Sequence, residues 1–520
     1  MLSASVLIVG AGPVGLWLAI QLRTAGIDVL VIDSMPSSDS RSPHSKALAM
    51  SAGTLATFGS RGLDAAFLEH GIPLPTGHFG GLPTRLNFDY ETLGQKHSFG
   101  LAIPQTKTES ILQSECESLR TRFEWGLELT TLKQNEDSVV VTAIRHTAGG
   151  ADGLQDVRIT ASWVVGCDGT HSATRSAVGI AFNGEPSTIK GVMADFQMDR
   201  PYGPVPILDP QPGQENRVRP LLTPIGDGLH YRIVDVREDK NPSQLSLDGI
   251  QNLLQAHYGT DFGAHSVVWS STFGSAFRLA GTFRRGRVLL AGDAAHQFLP
   301  AGGQGMNLGI QDATNLAWKL ALAANGTSDP ATADRLLDTY SSERLPAAQE
   351  TVQNTMAQMA LFTANSFQDF ALRNVLSEAL KSTELNQLWA KRVSGFGEPR
   401  SPYRSATNQH HWMVGTRLSH IPQIDRFSGL FAKLASFSQF ALITFSERAS
   451  PASQDALQSV CSQWHGHVQM LNFTAPEESR WSNIYAVIIR PDERVAWVAE
   501  TNSSSLSVAK SLEQFLQVWL

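Results

Sequence analysis

Three glycines near the N-terminus, Gly10, Gly12 and Gly15, have the spacing of a backbone loop that binds phosphate. They follow the apolar run VLIV, and apolar residues at helical spacing come after them. A second apolar run then ends at Asp33, eighteen residues past the last glycine. In such a strand, turn, helix and strand, Gly10 makes the turn, Gly12 lets the backbone approach a pyrophosphate, and Gly15 lets the helix pack on the strand.

The helix predicted after this turn begins with Pro13 and Val14, and its N-terminus would face the phosphates. Unpaired N–H groups and the positive end of the helix dipole both favour an anion there. Asp33 lies where a ribose hydroxyl needs an acceptor, and Ser34 follows it. This stretch therefore predicts a dinucleotide site, and at this point it does not separate FAD from NAD(P).

Two later apolar strands also end in an aspartate beside a glycine. ASWVVGC is followed by Asp168 and Gly169, and RVLLA is followed by Gly292 and Asp293. A charged residue at the end of an apolar strand packs poorly but is well placed for a ligand at the carboxyl edge of a parallel sheet. We expect these residues to contribute to the same site.

The loop after Asp293 is poor in side chains, so a flat ring could lie against its backbone. The helix that begins near its end would point its N-terminus at that ring, where N–H groups stabilise negative charge as it develops. We expect this loop to act as the catalytic surface and to share cofactor binding with the residues after it. The residues concerned are Pro300, Gly302, Gly303, Gly305, Met306 and Asn307.

The elements that would position these residues predict an α/β fold, which together with its antiparallel parts makes the whole chain α+β. The parts are a Rossmann-like dinucleotide-binding domain, an inserted antiparallel sheet and a small C-terminal α/β domain. We assign 1–180 and 276–398 to the first domain, the latter with its long helices. Residues 181–275, in which alternation and prolines indicate antiparallel strands, form the second domain, to which 71–100 contributes. Residues 399–520 form the third.

Some local predictions are specific enough to be tested by the structure. Residues 34–45 read as a loop that covers the cofactor, and 46–63 read as a helix. A turn is expected at 149–153, and Pro346 should kink or restart the helix predicted over 333–363. Near the C-terminus we expect a hairpin around Pro491 and Asp492.

Composition indicates an ordinary globular protein with small-molecule partners. Of 520 residues, 42% are hydrophobic and 17% charged, and the net charge of −7 without long runs of one sign argues against nucleic acid and anionic membranes. Three cysteines at wide spacing exclude a disulfide framework, and neither a signal peptide nor a run of eighteen apolar residues is seen, so we expect a cytoplasmic protein. The pair His410 and His411 lacks a third ligand at a plausible spacing, so we expect no metal.

The motifs GAGPVG, CDG and AGD in this order resemble those of the single-component FAD-dependent aromatic hydroxylases, which have the para-hydroxybenzoate hydroxylase fold. The resemblance covers roughly 6–363. Within that family the chain is most similar to the polyketide and antibiotic hydroxylases, because a thioredoxin-like C-terminal domain fits the residues from about 400 onward.

The resemblance implies roles for individual residues. Gly10, Gly12 and Gly15 would bind the ADP diphosphate, and Asp33 the adenosine ribose. Lys46 stands where relatives carry an arginine near the cofactor, and Gln105 matches the position that contacts the flavin side chain.

Further roles follow for the later motifs. Asp293 would hold the ribityl hydroxyls, and the loop 300–307 would cradle the isoalloxazine. Asp168 matches an acid implicated in both FAD and NADPH binding, with Gly169 beside it, and we place Arg175 near the path of the nicotinamide.

The sequence departs from the family in two places. Relatives commonly carry Arg-Thr-x-Glu where this chain has residues 53–56, Gly-Thr-Leu-Ala, which puts an ion pair from that helix in doubt. The C-terminal domain has no C-x-x-C, and Cys461 stands alone, so a thioredoxin-like shape need not mean thiol chemistry.

The function that the resemblance implies is insertion of one oxygen atom of O2 into a phenolic or aromatic polyketide substrate through a flavin hydroperoxide. FAD would be the bound cofactor and NADPH, or NADH, a transient co-substrate. Baeyer–Villiger oxygenation or epoxidation on the same scaffold is an alternative, and an NAD-dependent dehydrogenase or nucleotide sensor is a more distant one. The sequence leaves open the substrate, its pocket (Arg217, Tyr231 and Arg232 are candidates) and whether the chain forms a homodimer.

Overall fold

The computed structural model describes residues 2–41, 44, 47–89, 97–146, 155–199, 218–225, 227, 229–237, 244–326, 329–396, 411–418, 438–477 and 481–520. Within these ranges the α-helices, in chain order, are α1 Pro13–Thr24, α2 Ala52–Gly59, α3 Asp64–His70, α4 Gln105–Ser118, α5 Ala173–Ala177, α6 Leu247–Tyr258, α7 Gln304–Ala324, α8 Pro330–Phe362, α9 Phe367–Ala379, α10 Thr383–Val393, α11 Pro451–Gln463 and α12 Ser505–Trp519. Short 3₁₀ turns cover Ser38–Ser40, Gly292–Ala294 and Ala301–Gly303.

The strands belong to several sheets. In chain order they are β1 Leu2–Val9, β2 Val29–Asp33, β3 Ala49–Met50, β4 Ile72–Leu74, β5 Thr76–Gly77, β6 Leu86–Asn87, β7 Gly100–Ala102, β8 Arg122–Trp125, β9 Leu127–Gln134, β10 Val139–Arg145, β11 Gln155–Gly166, β12 Phe182–Glu185, β13 Lys190–Met198, β14 Leu221–Pro224, β15 His230–Arg237, β16 Ala264–Gly274, β17 Phe277–Ala280, β18 Arg284–Arg285, β19 Val288–Leu290, β20 His296–Gln297, β21 Phe440–Thr444, β22 Val468–Asn472, β23 Ile484–Ile489 and β24 Val495–Glu500.

The central sheet is parallel in its middle. Its order is β18, β19, β11, β1, β2, β8, and β19, β11, β1, β2 and β8 pair in parallel. The strands β9 and β10 extend it as an antiparallel meander from the first half of β11. The second half of β11 and all of β19 are buried, as strands covered on both faces must be.

Helices α1 and α7 cover this sheet with apolar faces. Trp17 on α1 is fully buried, stacks edge-on against Phe58, and donates from Nε1 to Thr314 Oγ1 on α7 at 2.9 Å. Burying that indole requires such a partner for its N–H group. The hydrogen bond therefore joins the first and second halves of the dinucleotide-binding motif, nearly 300 positions apart in the chain.

The second large sheet is antiparallel, in the order β14, β15, β13, β16, with α6 packed on it. Burial alternates along the edge strand β16, whereas the inner strand β13 is buried along most of its length. The C-terminal sheet has the order β22, β21, β23, β24, in which a parallel βαβ unit is followed by a hairpin and the last helix.

Of the local predictions that the structure tests, the hairpin near the C-terminus is confirmed and two others need correction. The predicted helix over 46–63 is wrong at its start: Ala49 and Met50 form β3, paired with β7, and the helix covers only Ala52–Gly59. Ser51 ends the strand and caps that helix by accepting from Thr54 N.

The second correction concerns Pro346. Helix α8 continues through it, so it does not restart there. The hairpin around Pro491 and Asp492 is present between β23 and β24. The turn predicted at 149–153 lies outside the described residues.

Candidate active site

The first glycine turn has the geometry that its sequence predicts. Gly10 has φ +107°, and a Cβ there would lie 2.4 Å from Cys167 O. A Cβ on Gly15 would lie 2.0 Å from Gly10 O. A Cβ on Gly12, by contrast, would meet nothing within 4 Å. Two of the glycines are therefore required by the protein's own packing, whereas Gly12 borders open space at the N-terminus of α1, which suits a pyrophosphate.

Asp33 supports this turn from the end of β2. Its Oδ2 accepts from Ala11 N at 2.7 Å and its Oδ1 from Met35 N at 2.9 Å, and its side chain is partly exposed. A carboxylate has further lone pairs for a ribose hydroxyl. Ser34 is exposed beside it, and Lys46 lies outside the described residues.

A polar cluster lies behind the turn, and of its members only Glu109 was not singled out from the sequence. Arg41 donates to Ala11 O at 2.9 Å, and its Nε lies 3.4 Å from Glu109 Oε2. Gln105 Nε2 donates to Glu109 Oε1 at 2.8 Å. Burial raises the pKa of Glu109, although Gln105 and Arg41 oppose this effect. Gln105, predicted to contact the flavin side chain, is thus joined to the glycine turn through Glu109 and Arg41.

The Asp168 segment lies next to the glycine turn, because β11 pairs with β1 and Cys167 N donates to Val9 O. Asp168 is already occupied by its own chain: Oδ1 accepts from Ser172 Oγ at 2.6 Å, and Oδ2 accepts from Thr174 N and Oγ1 at 2.9 Å. A Cβ on Gly169 would meet nothing within 4 Å. Asp168 thus organises the start of α5 beside an open backbone position.

Arg175, predicted to lie near the nicotinamide path, is buried. Its two terminal nitrogens donate to Ala294 O at 2.8 Å and Thr170 O at 3.0 Å, and its guanidinium lies 3.7 Å from the centre of the Phe182 ring. Arg175 therefore connects the Asp168 segment to the Gly292–Ala294 turn, which is a positioning role.

The turn that carries Asp293 is held by a buried ion cluster under it. Asp312 on α7 is fully buried and accepts from Gly292 N at 3.2 Å and from Arg344 Nε at 2.7 Å, and it hydrogen bonds His296 Nε2 at 2.7 Å. Burial alone would raise the pKa of Asp312, but Arg344 and His296 outweigh burial and lower it.

Asp293 itself is exposed, and its carboxylate lies close to the position that a Cβ on Gly305 would take, 3.9 Å away. The carboxylate therefore faces the first turn of α7. Gly292 has φ +64°, and a Cβ there would lie 3.0 Å from Val14, so the Asp293 turn packs on the first turn of α1. The three motifs predicted from sequence thus meet at one edge of the central sheet.

The loop from Pro300 to Gly305 has two consecutive glycines in the left-handed region, Gly302 with φ +71° and Gly303 with φ +64°. Non-glycine residues rarely adopt this conformation. Asn307 keeps the loop in place: its Nδ2 donates to Gly303 O at 2.7 Å and Ala49 O at 2.9 Å, and its Oδ1 accepts from Ser51 N. Its side chain is therefore used for positioning.

Pro300 is exposed on this loop, and Met306 packs partly buried on the main core. Leu299 and Ala301, which flank Pro300 in the chain, belong to a separate apolar cluster. The other members of that cluster come from α8 (Met359, Phe362) and from the second sheet with its approaches (Ile189, Val218, Leu221, Val236, Phe273). Apolar side chains thus fill the region between the glycine loop and the antiparallel sheet.

The candidate substrate residues of the second sheet are not on the surface. Tyr231 and Arg232 are both buried, and Arg232 forms a bidentate ion pair with Asp195, with distances of 2.7 and 2.8 Å. The Arg232 guanidinium also lies over the Trp269 ring. His44 stacks on that indole with 6.1 Å between the ring centroids. Arg217 lies outside the described residues.

The missed residues had weak signals in the sequence. Glu109, Asp312 and Arg344 lie on helices and His296 lies on the short strand β20, and each of them reads equally well as a solvated position. Their side chains meet only because distant elements pack together. Among the described residues no group of His, Cys, Asp and Glu could hold a metal ion, and no helix is long and apolar enough to cross a membrane.

The chain belongs to the FAD-binding family of aromatic-ring hydroxylases. A family model for the FAD binding domain matches residues 3–355, and a model for the aromatic-ring hydroxylase C-terminal domain matches residues 411–520. The protein is thus an FAD-dependent monooxygenase of the aromatic hydroxylase type, and the predicted family and fold class are confirmed.

Several similar proteins come from Streptomyces species. The chain is 34% identical to a rifampicin monooxygenase of Streptomyces venezuelae over 96% of this chain and 97% of that protein. It is 31% identical to an anhydrotetracycline monooxygenase of Streptomyces rimosus over 97% of each chain. The solved structure of the anhydrotetracycline hydroxylase OxyS from Streptomyces rimosus superposes with a TM-score of 0.78 and 29% identity, covering 100% of this chain and 99% of that one.

Proposed function

We propose that this enzyme uses NADPH or NADH to hydroxylate a phenolic ring of an aromatic polyketide with one oxygen atom of O2. One observation carries the proposal: the glycine loop 300–305 and the N-terminus of α7 lie beside an apolar cluster that extends to the antiparallel sheet. A flat cofactor ring on that loop would have an apolar compartment next to it that can take a second ring. The compounds named for two of the similar proteins, rifampicin and anhydrotetracycline, support a polyketide substrate.

The residues around the three turns fit FAD. We assign the diphosphate to the open backbone at Gly12, with the N-terminus of α1 at Pro13 and Val14, and the adenosine ribose to Asp33. Asp293 takes the ribityl hydroxyls, because its exposed carboxylate faces the first turn of α7. When bound, FAD accepts hydride from the nicotinamide and in its reduced form activates O2.

The protein's own contribution is electrostatic and steric. The first N–H groups of α7 and the positive end of its dipole stabilise negative charge on the reduced ring system. The apolar side chains of Leu299, Met359 and Phe362 would exclude water from the region in front of the bound ring system, as oxygen transfer requires.

The sequence contains no second glycine motif that could bind the nicotinamide coenzyme. We therefore propose that the coenzyme binds transiently across the cleft. Asp168 and Arg175 act in this step by holding the α5 segment and the Asp293 turn together, because their polar atoms form hydrogen bonds with Thr174 N and Ala294 O. Direct contact of either residue with the nicotinamide is not required.

Rapid mixing of the reduced, FAD-loaded enzyme with O2 and a phenolic polyketide tests this function. We expect a product that is heavier by one oxygen atom, labelled when 18O2 is used, and one NAD(P)H consumed for each product. If every compound that stimulates NAD(P)H oxidation yields only hydrogen peroxide, the enzyme is an oxidase and the proposal is wrong.

A further inference from the structure

The loop between β5 and β6 brings a histidine to the edge of the apolar cluster. We call residues 78–82 the His78 loop. Gly80 N donates to Gln358 Oε1 at 3.2 Å, and a Cβ on Gly302 would lie 3.1 Å from Gln358 Nε2. Gln358 on α8 therefore touches both the His78 loop and the glycine loop of the candidate active site.

Two further contacts keep the His78 loop in this position. Arg373 on α9 donates to Gly80 O at 3.0 Å and to Gly81 O at 2.7 Å. Gly80 and Gly81 have φ of +57° and +64°, and a Cβ on either would lie within 2.8 Å of Leu361 or Phe362. Because these glycines let the backbone approach α8 so closely, His78 is placed on a rigid support.

The imidazole of His78 faces the cluster described above. Its ring packs edge-on against the Phe362 ring with 5.7 Å between centroids, and Phe362 packs in the same cluster as Leu299 and Ala301. The Nδ1 atom of His78 is buried and has no hydrogen-bond partner among the described residues. A buried polar atom without a partner is costly, so its retention beside the apolar cluster indicates that a ligand supplies the partner.

The charge around His78 suits a phenolic oxygen. Burial, with a smaller effect from the nearby charge of Arg85, lowers the pKa of His78 to about 4, so the imidazole is neutral at pH 7. A neutral imidazole can accept from a phenol O–H or donate to a phenolate, depending on its tautomer. The Arg85 guanidinium, whose NH2 donates to Thr76 Oγ1 at 3.3 Å, adds positive charge that favours an electron-rich, partly ionised phenol.

We propose that His78 hydrogen bonds the phenolic hydroxyl of the substrate ring and, with Arg85 beside it, makes the enzyme select phenols over the corresponding ethers. This inference rests on the proposed function and adds to it the residue that recognises the hydroxyl. His78 is thereby a specificity-determining residue.

Calorimetric titration of the oxidised, FAD-loaded enzyme tests the proposal. The probes are 1-naphthol and 1,8-dihydroxyanthraquinone, each compared with its O-methyl ether. We expect the wild type to bind each phenol about tenfold more tightly than its ether, the size of one hydrogen bond. His78→Leu should bring that ratio close to one, whereas His78→Asn, which keeps a polar atom near the position of Nδ1, should retain part of it.

The controls separate recognition from folding. FAD content should be unchanged in both variants, and His467→Leu in the C-terminal region should leave the phenol-to-ether ratio at the wild-type value. The proposal is overturned if His78→Leu keeps the wild-type ratio of phenol to ether affinity. It is also overturned if both His78 variants lose this ratio and their bound FAD to the same extent. Failure of the wild type to bind either phenol would instead contradict the proposed function, and with it the role of His78.

Discussion

Gly12 and Gly15 differ in what surrounds them, although they belong to the same motif. A side chain at Gly15 would collide with Gly10 O, whereas one at Gly12 would enter space that no protein atom occupies. Gly12 also has φ −76° and ψ 179°, a conformation that any residue adopts. Substitution at Gly12 therefore reports on the cofactor, and substitution at Gly15 reports on the fold.

We predict that Gly12→Val folds normally but loses FAD, because its side chain occupies the place assigned to the diphosphate. The measurements are the flavin absorbance of the purified protein and thermal unfolding of the flavin-free form. Gly15→Ala is the matched comparison and should lower the melting temperature of the flavin-free protein. Full flavin absorbance in Gly12→Val would show that the diphosphate is bound elsewhere.

At the scale of secondary-structure elements, helix α7 connects the glycine loop and the Gly292 turn to the body of the protein. Its N-terminus follows the glycine loop, Asp312 in its third turn holds the Gly292 turn, and Asn307 ties it to β3. The two glycines of the loop again differ: a Cβ on Gly303 would lie 2.7 Å from Ala49 Cβ, whereas one on Gly305 would make only ordinary contacts at 3.9 Å.

We predict that Gly305→Leu retains FAD and stability but slows anaerobic reduction of the flavin by NADPH by at least tenfold. Its side chain would project between Asp293 and Phe298, next to the assigned position of the ring. Stopped-flow absorbance at 450 nm measures the rate. Gly249→Leu on α6, where a Cβ also makes ordinary contacts, is the control and should reduce at the wild-type rate. An unchanged rate in Gly305→Leu would place the ring away from this helix end.

On the scale of the whole molecule, a buried charge network joins the C-terminal sheet to α7 and α8. Glu343 is bound by Arg490 at 2.7 and 2.9 Å and by Lys319 at 2.7 Å, and Arg490 also pairs with Asp492. Burial alone would raise the pKa of Glu343, but Arg490 and Lys319 lower it. For Lys319 the direction is reversed: burial lowers its pKa to about 8, and the charge of Glu343 opposes this shift.

Because the folded-state pKa of Glu343 lies below its ordinary value of 4.5, its stabilising effect is present above about pH 4.5 and is lost as the pH falls. We predict that Glu343→Gln lowers the free energy of unfolding at pH 7 by about 3–5 kcal/mol, since it breaks a buried pair. The loss of stability between pH 5 and 3 should also become less steep. Urea unfolding at several pH values measures both.

Glu384→Gln, at an exposed position in the first turn of α10, is the control for this experiment. It should leave the pH dependence close to that of the wild type, because exposed charges contribute little. Equal slopes in Glu343→Gln and the wild type would contradict a dominant role for the network in acid unfolding.

The C-terminal region is expected to be structural and without thiol chemistry. Cys461 is buried, and burial raises its pKa to about 11, so little thiolate forms at pH 7. We predict that Cys461→Ser keeps at least about half of the wild-type turnover and all of its FAD. Steady-state oxidation of NADPH with a phenolic substrate measures this, and a large loss of turnover with intact FAD would indicate a catalytic role for this region.

The sequence motifs were enough to predict the family, through their resemblance to known hydroxylases, and with it the fold class. Motifs such as GAGPVG and AGD also predict tight turns, because glycine adopts backbone conformations that other residues rarely do. The start of α2 was missed because Ala49 and Met50 are apolar residues whose strand conformation comes from pairing with β7. Composition and periodicity contain no information about such a partner.

Only the tertiary structure decided which polar residues hold the turns of the site in place. Asp168 and Asn307 are engaged by their own chain, and Asp293 lies exposed beside the first turn of α7. Asp312 and its partners, and His78 beside Phe362, come from segments far apart in sequence, and a lone charged residue on a helix gives no sign of what it will face. The difference is physical: turns are set by local sterics, whereas buried charge pairs exist only once packing has removed water from around them.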